Sequence, residues 1–404
     1  MNFVLIDTHW QELLPLTFTR PASHLLVGID RIYDKWERHL GQTPAVMTAE
    51  YLQRKFPVVL EENNLLINST IIPTTELVDS ILNLPEGKVL SHLGQFVAAH
   101  CDRKTCADLA FKIGKSVSLK VSDFVSEEVG FAGNLIKMLQ PSDLFSHNDA
   151  VLRKDFEEIT KGYRTSSPPP DVRVKGKDLF IHKDAVLNHC IINTETGPVY
   201  IGPHAEIMEG TLIRGPVSIG AHSVVKMGAK IYGASSFGAY CRIGGEISNS
   251  VMHDYSNKGH DGFLGNSVVG SWCNLGADTN TSNLKNNYGP VRVWNYPSHS
   301  FRDSGLQFHG LIMGDHAKAS INTMFNTGSV VGVCTNVFEG GFPPKFLPSF
   351  TWASSGKHET FKIEKAFEAA RAMMQRREVE FDSEDEAIFN QIFRFDEEMR
   401  QFNH

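Results

Sequence analysis

The chain has 404 residues, of which 41% are hydrophobic and 21% charged, and its formal net charge is −7. The negative charge without a basic run argues against nucleic-acid binding, and no apolar stretch approaches the roughly 20 residues of a membrane span. The six cysteines contain no C-x-x-C pair, which argues against a zinc site or a secreted disulfide framework. Because an acid at Asp7 also comes too early for a signal peptide, we expect a two-domain cytoplasmic protein with no membrane or nucleic-acid partner.

The first part of the chain alternates short apolar runs with helical patterns, which predicts an α/β domain with a largely parallel sheet. Strands are predicted at residues 3–6, 45–47, 65–68, 88–90 and 96–99, and helices at 28–40 and 148–160. A stretch rich in Gly, Ser and Pro follows at 161–170 and ends in three consecutive prolines, which can continue neither a helix nor a central strand. We therefore predict a first domain over residues 1–165.

The loop after the first strand carries the candidate nucleotide-binding residues of this domain. Ligands of open α/β sheets bind beyond the carboxyl ends of the strands, so Asp7, Thr17 and Arg20 are candidates, and the hydroxyl and guanidinium groups could meet a phosphate. The alternative is that Thr17 and Arg20 only brace the loop. No glycine-rich phosphate cradle accompanies them.

Residues 201–248 contain a six-residue repeat. An apolar residue returns at every sixth position, at Ile201, Ile207, Ile213, Ile219, Val225, Ile231, Phe237 and Ile243, and a small or apolar residue follows each one four positions later. Neither an α-helix nor a two-sided strand produces this period. It predicts a β-helix in which three short strands form one coil, and the resumed register near residues 313–337 extends the predicted domain over 171–345.

The repeat breaks at residues 252–262, and the polar segment that begins there includes His260 and Lys258. An imidazole, with an unperturbed pKa of about 6.5, can take a proton from a nucleophile at neutral pH. A nearby lysine could hold the phosphate of an acceptor. Without further information, His260 could equally be a solvated or structural residue.

The order of the domains, the Leu-Pro-Leu-Thr-Phe-Thr-Arg-Pro stretch at 14–21 and the hexapeptide register together resemble a known family. This is the family of sugar nucleotidyltransferases related to the bifunctional N-acetylglucosamine-1-phosphate uridylyltransferase/glucosamine-1-phosphate acetyltransferase. The resemblance implies a nucleotidyltransferase-like α/β domain, which would use Mg²⁺, followed by a left-handed parallel β-helix that packs as a homotrimer. In the bifunctional enzyme the β-helix transfers acetyl from acetyl-CoA.

The resemblance also implies roles for single residues in the segment 257–283. His260 falls on the catalytic histidine of the family, Asn274 and Asn283 on asparagines of the ligand site, and Phe263 on a tyrosine that meets the sugar phosphate. The structural alternative is that Asn274 and Asn283 only satisfy the backbone of neighbouring coils.

Several positions depart from the family pattern. Phe263 lacks the tyrosine hydroxyl, Leu284 replaces a second tyrosine, and Asp315 stands where the acetyl-CoA site has a serine. These changes leave the acceptor and the acyl donor open, with acetyl-CoA or another acyl-CoA implied. In the first domain, Asp7-Thr8-His9-Trp10-Gln11-Glu12 replaces the glycine-rich loop that wraps the nucleotide phosphates in relatives.

Two further segments complete the chain. An insertion at 286–308 is predicted to project from the β-helix, where its aromatic residues would cover either a ligand cleft or, as we favour, a neighbouring subunit. Residues 346–404 are predicted to form an extended segment and helices at 360–377 and 384–402 that cap the prism or fasten the trimer.

The sequence thus predicts a transferase of sugar-nucleotide metabolism. The favoured activity is acyl transfer to a sugar phosphate or nucleotide sugar in the β-helix, with a first domain whose own activity the sequence leaves open. The alternative is a catalytically inactive sugar-nucleotide-binding or regulatory protein, which the missing glycine loop favours for the first domain and the retained His260 and Asn274 oppose for the second. The identity of the sugar, nucleotide and acyl group is not predicted.

Overall fold

The computed structural model describes residues 1–114, 123, 127–338, 341–354 and 356–400. The chain forms two compact units: unit 1 comprises Met1–Leu25, Arg31–Gln140 and Ser383–Ile388, and unit 2 comprises Leu26–Asp30, Pro141–Asp382 and Phe389–His404. Among the residues described, no helix combines the length and apolarity needed to cross a membrane.

The strands of the first 130 residues are β1 (Asn2–Ile6), β2 (Leu26–Val27), β3 (Asp30–Arg31), β4 (Ala45–Met47), β5 (Asn63–Asn68), β6 (Lys88–His92), β7 (Gln95–Asp102) and β8 (Glu127–Gly130). The helices are α1 (Ile32–Leu40), α2 (Thr75–Leu82), α3 (Arg103–Gly114), α4 (Asp143–Ser146), α5 (Asn148–Thr160), α6 (Ile363–Gln375) and α7 (Ser383–Phe395). The predicted first helix therefore starts four residues later than expected and ends at Gly41, whose φ of 68° is left-handed.

Unit 1 is built on a mixed sheet with the strand order β4-β1-β5-β7-β6-β8. Strand β1 is parallel to β4 and β5, whereas β7 is antiparallel to β5 and β6. The expectation of a largely parallel sheet is therefore correct for only part of this sheet. The reason is the tight turn between β6 and β7, where Leu93 and Gly94 both have positive φ and reverse the chain directly.

The strands of unit 2 continue as β9 (Arg173–Lys175), β10 (Leu179–Ile181), β11 (Val186–Leu187), β12 (Ile191–Asn193), β13 (Val199–Ile201), β14 (Glu206–Ile207), β15 (Leu212–Arg214), β16 (Val217–Ile219), β17 (Val224–Val225), β18 (Lys230–Tyr232), β19 (Ser235–Phe237), β20 (Arg242–Ile243), β21 (Glu246–Ser248), β22 (Val251–Met252), β23 (Asn257–Lys258), β24 (Phe263–Gly265), β25 (Val268–Val269), β26 (Asn274–Leu275), β27 (Asn280–Thr281), β28 (Arg292–Asn295), β29 (Ser300–Asp303), β30 (Ile312–Met313), β31 (Lys318–Ala319), β32 (Met324–Phe325), β33 (Val330–Val331), β34 (Asn336–Phe338), β35 (Phe346–Leu347), β36 (Thr351–Ser354) and β37 (Lys357–Thr360).

These strands form a parallel β-helix with three faces. Face 1 is the sheet β10-β13-β16-β19-β22-β25-β30-β33-β35, and face 3 is the sheet β24-β21-β18-β15-β12-β9. Face 2 runs from β11 to β36 in the same parallel manner and is extended by β37, which is antiparallel to β36. The eight apolar positions of the predicted repeat point into the core, and none is more than 2% exposed. The predicted β-helix is therefore confirmed, and inward plugs such as Ile201, Ile219 and Phe237 lie directly above one another.

The predicted break near residue 252 is a shortened coil rather than a gap. Met252 pairs with Phe237, and Lys258 pairs with Ile243, so the faces continue without interruption. The shorter coil has one chemical consequence: a lysine occupies a position that leucine, isoleucine or valine fills in the coils before it.

Face 1 is covered by two segments of unit 2. Asn148 of α5 donates from Nδ2 to the Ala234 carbonyl (2.7 Å) and accepts at Oδ1 from the Ser236 hydroxyl (3.0 Å). Leu26 N–H donates to His253 Nε2 (3.1 Å), and Ser218 Oγ donates to the Gly28 carbonyl (3.0 Å). Helix α5 has the predicted bounds, but these contacts place it with the β-helix and not with the α/β sheet, so the compact units do not follow the predicted boundary at residue 165.

The insertion forms the hairpin β28/β29, and its aromatic side chains pack against their own chain. Trp294 stacks on Phe346 with ring centroids 4.2 Å apart, Phe301 contacts the edge of Trp294, and Tyr296 is 2% exposed. Tyr296 is therefore used within its own chain, whereas Trp294 and Phe301 are half-buried, and their packing on a neighbouring subunit stays a prediction. Tyr288 remains exposed.

A column of stacked rings runs along the corner between faces 1 and 2. We call it the ring ladder, and its members are His204, His222, Tyr240, Tyr255, Trp272 and His316. Neighbouring centroids are 4.0 to 6.0 Å apart, with planes within 21° of parallel. All six residues have positive φ. This left-handed backbone costs on the order of 1–2 kcal/mol for a residue other than glycine, and each stacked pair returns about 0.5–1.5 kcal/mol.

The C-terminal segment packs at the lower end of this corner. Phe389 contacts the His316 ring edge-on at 5.3 Å. Asp396 accepts the Ser349 N–H at 2.7 Å, and Arg400 donates to the Ser349 carbonyl at 3.1 Å. The helices predicted at 360–377 and 384–402 correspond to α6 and α7; residue 402 lies outside the described residues.

Candidate functional site

His260 lies in the turn Gly259–Gly262, at the corner where the chain passes from face 2 to face 3. Its side chain is exposed, and the turn depends on Gly262, whose φ is 110° and whose added Cβ would lie 2.2 Å from the Thr279 carbonyl oxygen. The sequence therefore places an accessible imidazole on a sharp corner between two rigid strands. This arrangement suits a proton acceptor that must reach a ligand outside the prism.

Lys258 supports this turn from inside the prism. Its side chain is buried, and Nζ donates to the carbonyls of His260 (2.5 Å) and Asp261 (3.1 Å). Burial lowers the pKa of the Lys258 ammonium to about 8. The predicted contact with an acceptor phosphate does not agree with this placement, because the ammonium points into the core. Lys258 instead holds the backbone of the His260 turn through these two hydrogen bonds.

Phe263 and Asn283 meet over Gly265. A Cβ on Gly265 would lie 2.5 Å from Phe263 Cζ and 2.7 Å from Asn283 Nδ2, so only glycine admits both side chains here. Asn283 is fixed by donating from Nδ2 to Asn266 Oδ1 at 2.8 Å. Two of the predicted substrate-binding residues are thus brought together at the end of β24.

Asn274 lies on face 2 in the coil after Lys258. It pairs with Asn257 on one side and Lys318 on the other, and its side chain is half-buried. The structure records no hydrogen bond for the Asn274 amide among the described residues, so it does not act as the backbone satisfier of the structural alternative. The amide is available for a ligand close to the strand that leads to His260.

The predicted ligand residues do not all converge within one chain. His260 and Asn283 lie at opposite corners of face 3. About five residues of extended chain separate the two corners, which corresponds to roughly 16 Å. Asp315 does not complete the set either, because it is 4% exposed and accepts the Ser271 N–H at 2.8 Å, as a cap of the turn.

In unit 1, Asp7 holds three strand ends together. Its carboxylate accepts hydrogen bonds from the hydroxyls of Thr48 and Ser69 (both 2.5 Å) and from Ala22 N–H (3.2 Å). Thr48, Asp7 and Ser69 directly follow the neighbouring parallel strands β4, β1 and β5. Burial raises the Asp7 pKa to about 6, which the three hydrogen bonds partly oppose. The predicted contact with a nucleotide therefore does not fit Asp7, whose oxygens are already satisfied.

Thr17 and Arg20 have different surroundings in the same loop. Thr17 is fully buried and donates to the Trp10 carbonyl at 2.6 Å, so it braces the loop and cannot meet a phosphate. Arg20 is half-buried, and its charge, with that of Arg31, adds to the burial that lowers the His24 pKa to about 3. Arg20 remains the candidate of this loop for an anion.

The arrangement of the His, Cys, Asp and Glu side chains determines whether the chain could bind a metal ion. Within the described part of the chain, no group of three or more His, Cys, Asp or Glu side chains is arranged to hold a metal ion. The Asp7 carboxylate is occupied by hydrogen-bond donors. Its surroundings do not fit a cation.

Sequence reasoning missed a groove of about 490 Å³ on face 3. Its lining includes Ile191, Leu212 and Tyr232, which are 48%, 45% and 38% exposed, together with Arg214 and Lys230. The sequence signal for this groove was the residue next to each inward apolar residue of the repeat, because that residue points outward from its strand. Large apolar residues at that position are unusual on a face that water covers.

The chain thus combines a mixed α/β sheet with a three-sided parallel β-helix that carries an exposed histidine at one corner. Residues 4–164 match the model of the sugar nucleotidyl transferase family. The resemblance stated from the sequence is thereby confirmed for the first part of the chain.

Curated relatives match a shorter stretch. The bifunctional protein GlmU of Methanocaldococcus jannaschii is 33% identical over 87 residues, which is 22% of this chain and 21% of the relative. GlmU of Methanococcus maripaludis is 32% identical over 89 residues, 22% of this chain and 20% of the relative. The chain thus matches about a fifth of the length of these curated relatives.

Solved structures give a weaker likeness. The polySia-specific acetyltransferase NeuO aligns with a TM-score of 0.29 and 15% identity over 47% of this chain and 85% of that protein. An Arabidopsis UDP-N-acetylglucosamine acyltransferase aligns with a TM-score of 0.22 and 14% identity over 58% and 91%. At these scores the likeness supports no conclusion about activity.

Proposed function

We propose that unit 2 transfers an acyl group from an acyl-CoA, such as acetyl-CoA, to a sugar phosphate or nucleotide sugar, with His260 as the general base. The observation that carries the proposal is the support of the His260 turn. A buried lysine donates to two carbonyls of the turn while the imidazole itself stays exposed. Burying a cation costs free energy. The presence of the Lys258 ammonium under a surface turn is therefore best explained by the need to hold that turn in one conformation.

The proposed reaction needs one proton acceptor and a bound acceptor substrate. A hydroxyl or amine of the sugar gives its proton to a ring nitrogen of His260 and attacks the thioester carbonyl. The carbon–sulfur bond then breaks, and the leaving thiolate takes the proton back from the imidazolium. Asn274 and Asn283 would orient the ligands, and Phe263 would pack against the sugar.

We further propose a homotrimer that packs through face 3. Face 1 is covered by α5, whereas face 3 exposes Ile191, Leu212 and Tyr232. Because Asn283 lies at the opposite corner of face 3 from His260, a second copy would supply the missing side of the site. Three-fold packing of this kind is what the resemblance implies.

For unit 1 we propose nucleotide-sugar binding with weak or no pyrophosphorylase activity. Asp7 and Thr17 are used to build the loop, and no glycine-rich loop is available to wrap a triphosphate. These observations favour, for this unit alone, the second candidate function, a binding domain that has lost catalysis. Arg20 would contact the phosphate.

The test of the transferase proposal is His260→Ala, with release of CoA thiol as the measurement. Loss of a positioned base lowers kcat by about 10²- to 10⁴-fold. His189→Ala is the control, because His189 is exposed on the same β-helix and is bonded to Asp171 far from the turn. Near-normal turnover in His260→Ala with the melting temperature retained would overturn the assignment.

A further inference from the structure

Three cationic side chains lie on the hairpin insertion and the coil beneath it. Lys285 Nζ donates to the Pro290 carbonyl at 3.0 Å, and Lys345 Nζ lies 3.5 Å from the Arg292 carbonyl oxygen. We call Lys285, Arg292 and Lys345 the cation cluster. It lies at the corner between faces 3 and 1, where the insertion leaves and re-enters the β-helix.

The backbone of the hairpin brings the two ammonium groups close together. Val291 N–H donates to the Leu306 carbonyl, and Ser304 N–H donates to the Val291 carbonyl, so residue 291 faces the partner strand. The carbonyls of Pro290 and Arg292 therefore point to the opposite edge, about 7 Å apart as for any i, i+2 pair in a strand. The Lys285 ammonium lies at the Pro290 carbonyl, and the Lys345 ammonium lies at the Arg292 carbonyl.

The neighbouring carboxylate of Asp303 forms no ion pair with these cations. Asp303 lies opposite Arg292 in the hairpin, but its Oδ1 accepts the Gly305 N–H at 2.8 Å. Among the described residues, no ion pair joins Lys285, Arg292 or Lys345 to an acid. Burial, followed by the charges of Lys285 and Arg292, lowers the Lys345 pKa. Such a local concentration of positive charge is unusual in a chain whose net charge is −7.

An apolar border completes the surface. Trp294 follows Arg292 by two residues and therefore projects from the same side of β28, and it stacks at 4.2 Å on Phe346, the neighbour of Lys345. Cations beside an aromatic wall suit a ligand that carries phosphate on a flat organic group.

We propose that the cation cluster is a binding site for a phosphate-bearing ligand. The phosphate would accept from Lys285 and Lys345, while Arg292, whose guanidinium donates to the Phe301 carbonyl at 2.5 Å, adds charge without contacting the phosphate. The chemistry is shared by the phosphorylated nucleoside of CoA and by the pyrophosphate of a nucleotide sugar. The site is distinct from the His260 turn, so its loss and the loss of acyl transfer can be told apart.

The test is isothermal titration of the full chain with adenosine 3′,5′-bisphosphate, UDP and unphosphorylated adenosine. We expect at least one phosphorylated probe to bind, with an affinity that falls as salt rises, and adenosine not to bind. The double variant Lys285→Gln/Lys345→Gln should weaken binding about tenfold or more, because two charge-assisted hydrogen bonds are lost. Preference for the bisphosphate identifies CoA as the source, and preference for UDP identifies a nucleotide sugar.

The matched control is Lys177→Gln/Lys183→Gln, which removes the same charge from exposed positions of the same unit. It should change the affinity less than twofold. A second measurement needs no variant: amine-reactive labelling read by mass spectrometry should show Lys285 and Lys345 protected by the probe, and Lys177 unprotected. Equal binding by both double variants, absence of binding to the wild type at low salt, or labelling of Lys285 and Lys345 unchanged by the probe would each overturn the proposal.

Discussion

The Lys258 ammonium should make the stability of unit 2 depend on pH above neutrality. Its pKa is about 8 in the folded chain and 10.5 in the unfolded chain. Between these values the unfolded chain binds the proton more tightly, so the free energy of unfolding rises with pH, by up to about 1.4 kcal/mol per unit. Lys258→Met should lack this rise, which urea unfolding at pH 7.5 and pH 10 would measure. Identical pH dependence in both proteins would show that the ammonium is not held as described.

Gly265→Ala tests the convergence of Phe263 and Asn283. The new methyl group would overlap both side chains, at 2.5 and 2.7 Å, and one of them must move. We expect a loss of stability of about 1–3 kcal/mol and a higher KM for the acceptor, measured by thermal unfolding and steady-state kinetics. Gly289→Ala, which meets only the flexible Asn287 side chain at 3.3 Å or more, is the control. A variant with unchanged KM would remove Phe263 and Asn283 from the acceptor site.

At the scale of elements, the segment after α7 should contribute strongly to the end of the β-helix. Arg400 donates to the Ser349 carbonyl and lies 4.2 Å over the Phe393 ring, while Asp396 accepts from Ser349 N–H. Arg400→Ala removes the guanidinium that lies near the buried Asp396 and donates to the Ser349 carbonyl, so we expect a loss of about 1–3 kcal/mol. Chemical unfolding of Arg400→Ala, Asp396→Asn and the double variant would measure the coupling. Additive effects would contradict it.

The core of the β-helix could be predicted from sequence because one inward position per strand repeats with a fixed period. Ile201, Ile219 and Phe237 therefore stack as expected. Lys258 could not be placed in this way, since the shortened coil changes the count and puts a polar residue on an inward position. The surroundings of Asp7 could not be predicted for a related reason: its partners Thr48 and Ser69 come from distant strands, so only the sheet order reveals that its oxygens accept hydrogen bonds from them.

At the scale of the whole molecule, the exposed apolar residues of face 3 bear on assembly. Leu212→Glu places a charge in the middle of the proposed contact, so the sedimentation coefficient should fall from that of a trimer to that of a monomer. Val59→Glu, a change at a residue that is 65% exposed in unit 1, is the control and should leave assembly intact. A wild-type chain that sediments as a monomer at micromolar concentration would contradict trimer formation.

The ring ladder determines where unfolding of the β-helix can begin. Each of its residues has a left-handed backbone whose cost is partly offset by stacking on the adjacent ring, so an interior coil that opens loses two stacking partners at once. A terminal coil loses only one, and His204, the exposed first ring, is such an end. Opening therefore travels inward from an end, one coil at a time, as in a linear chain of coupled units. Trp272, 4.0 Å from Tyr255, is the fifth of the six rings counted from His204, so its fluorescence should change later than the first protease cuts near residue 204 when opening starts at that end.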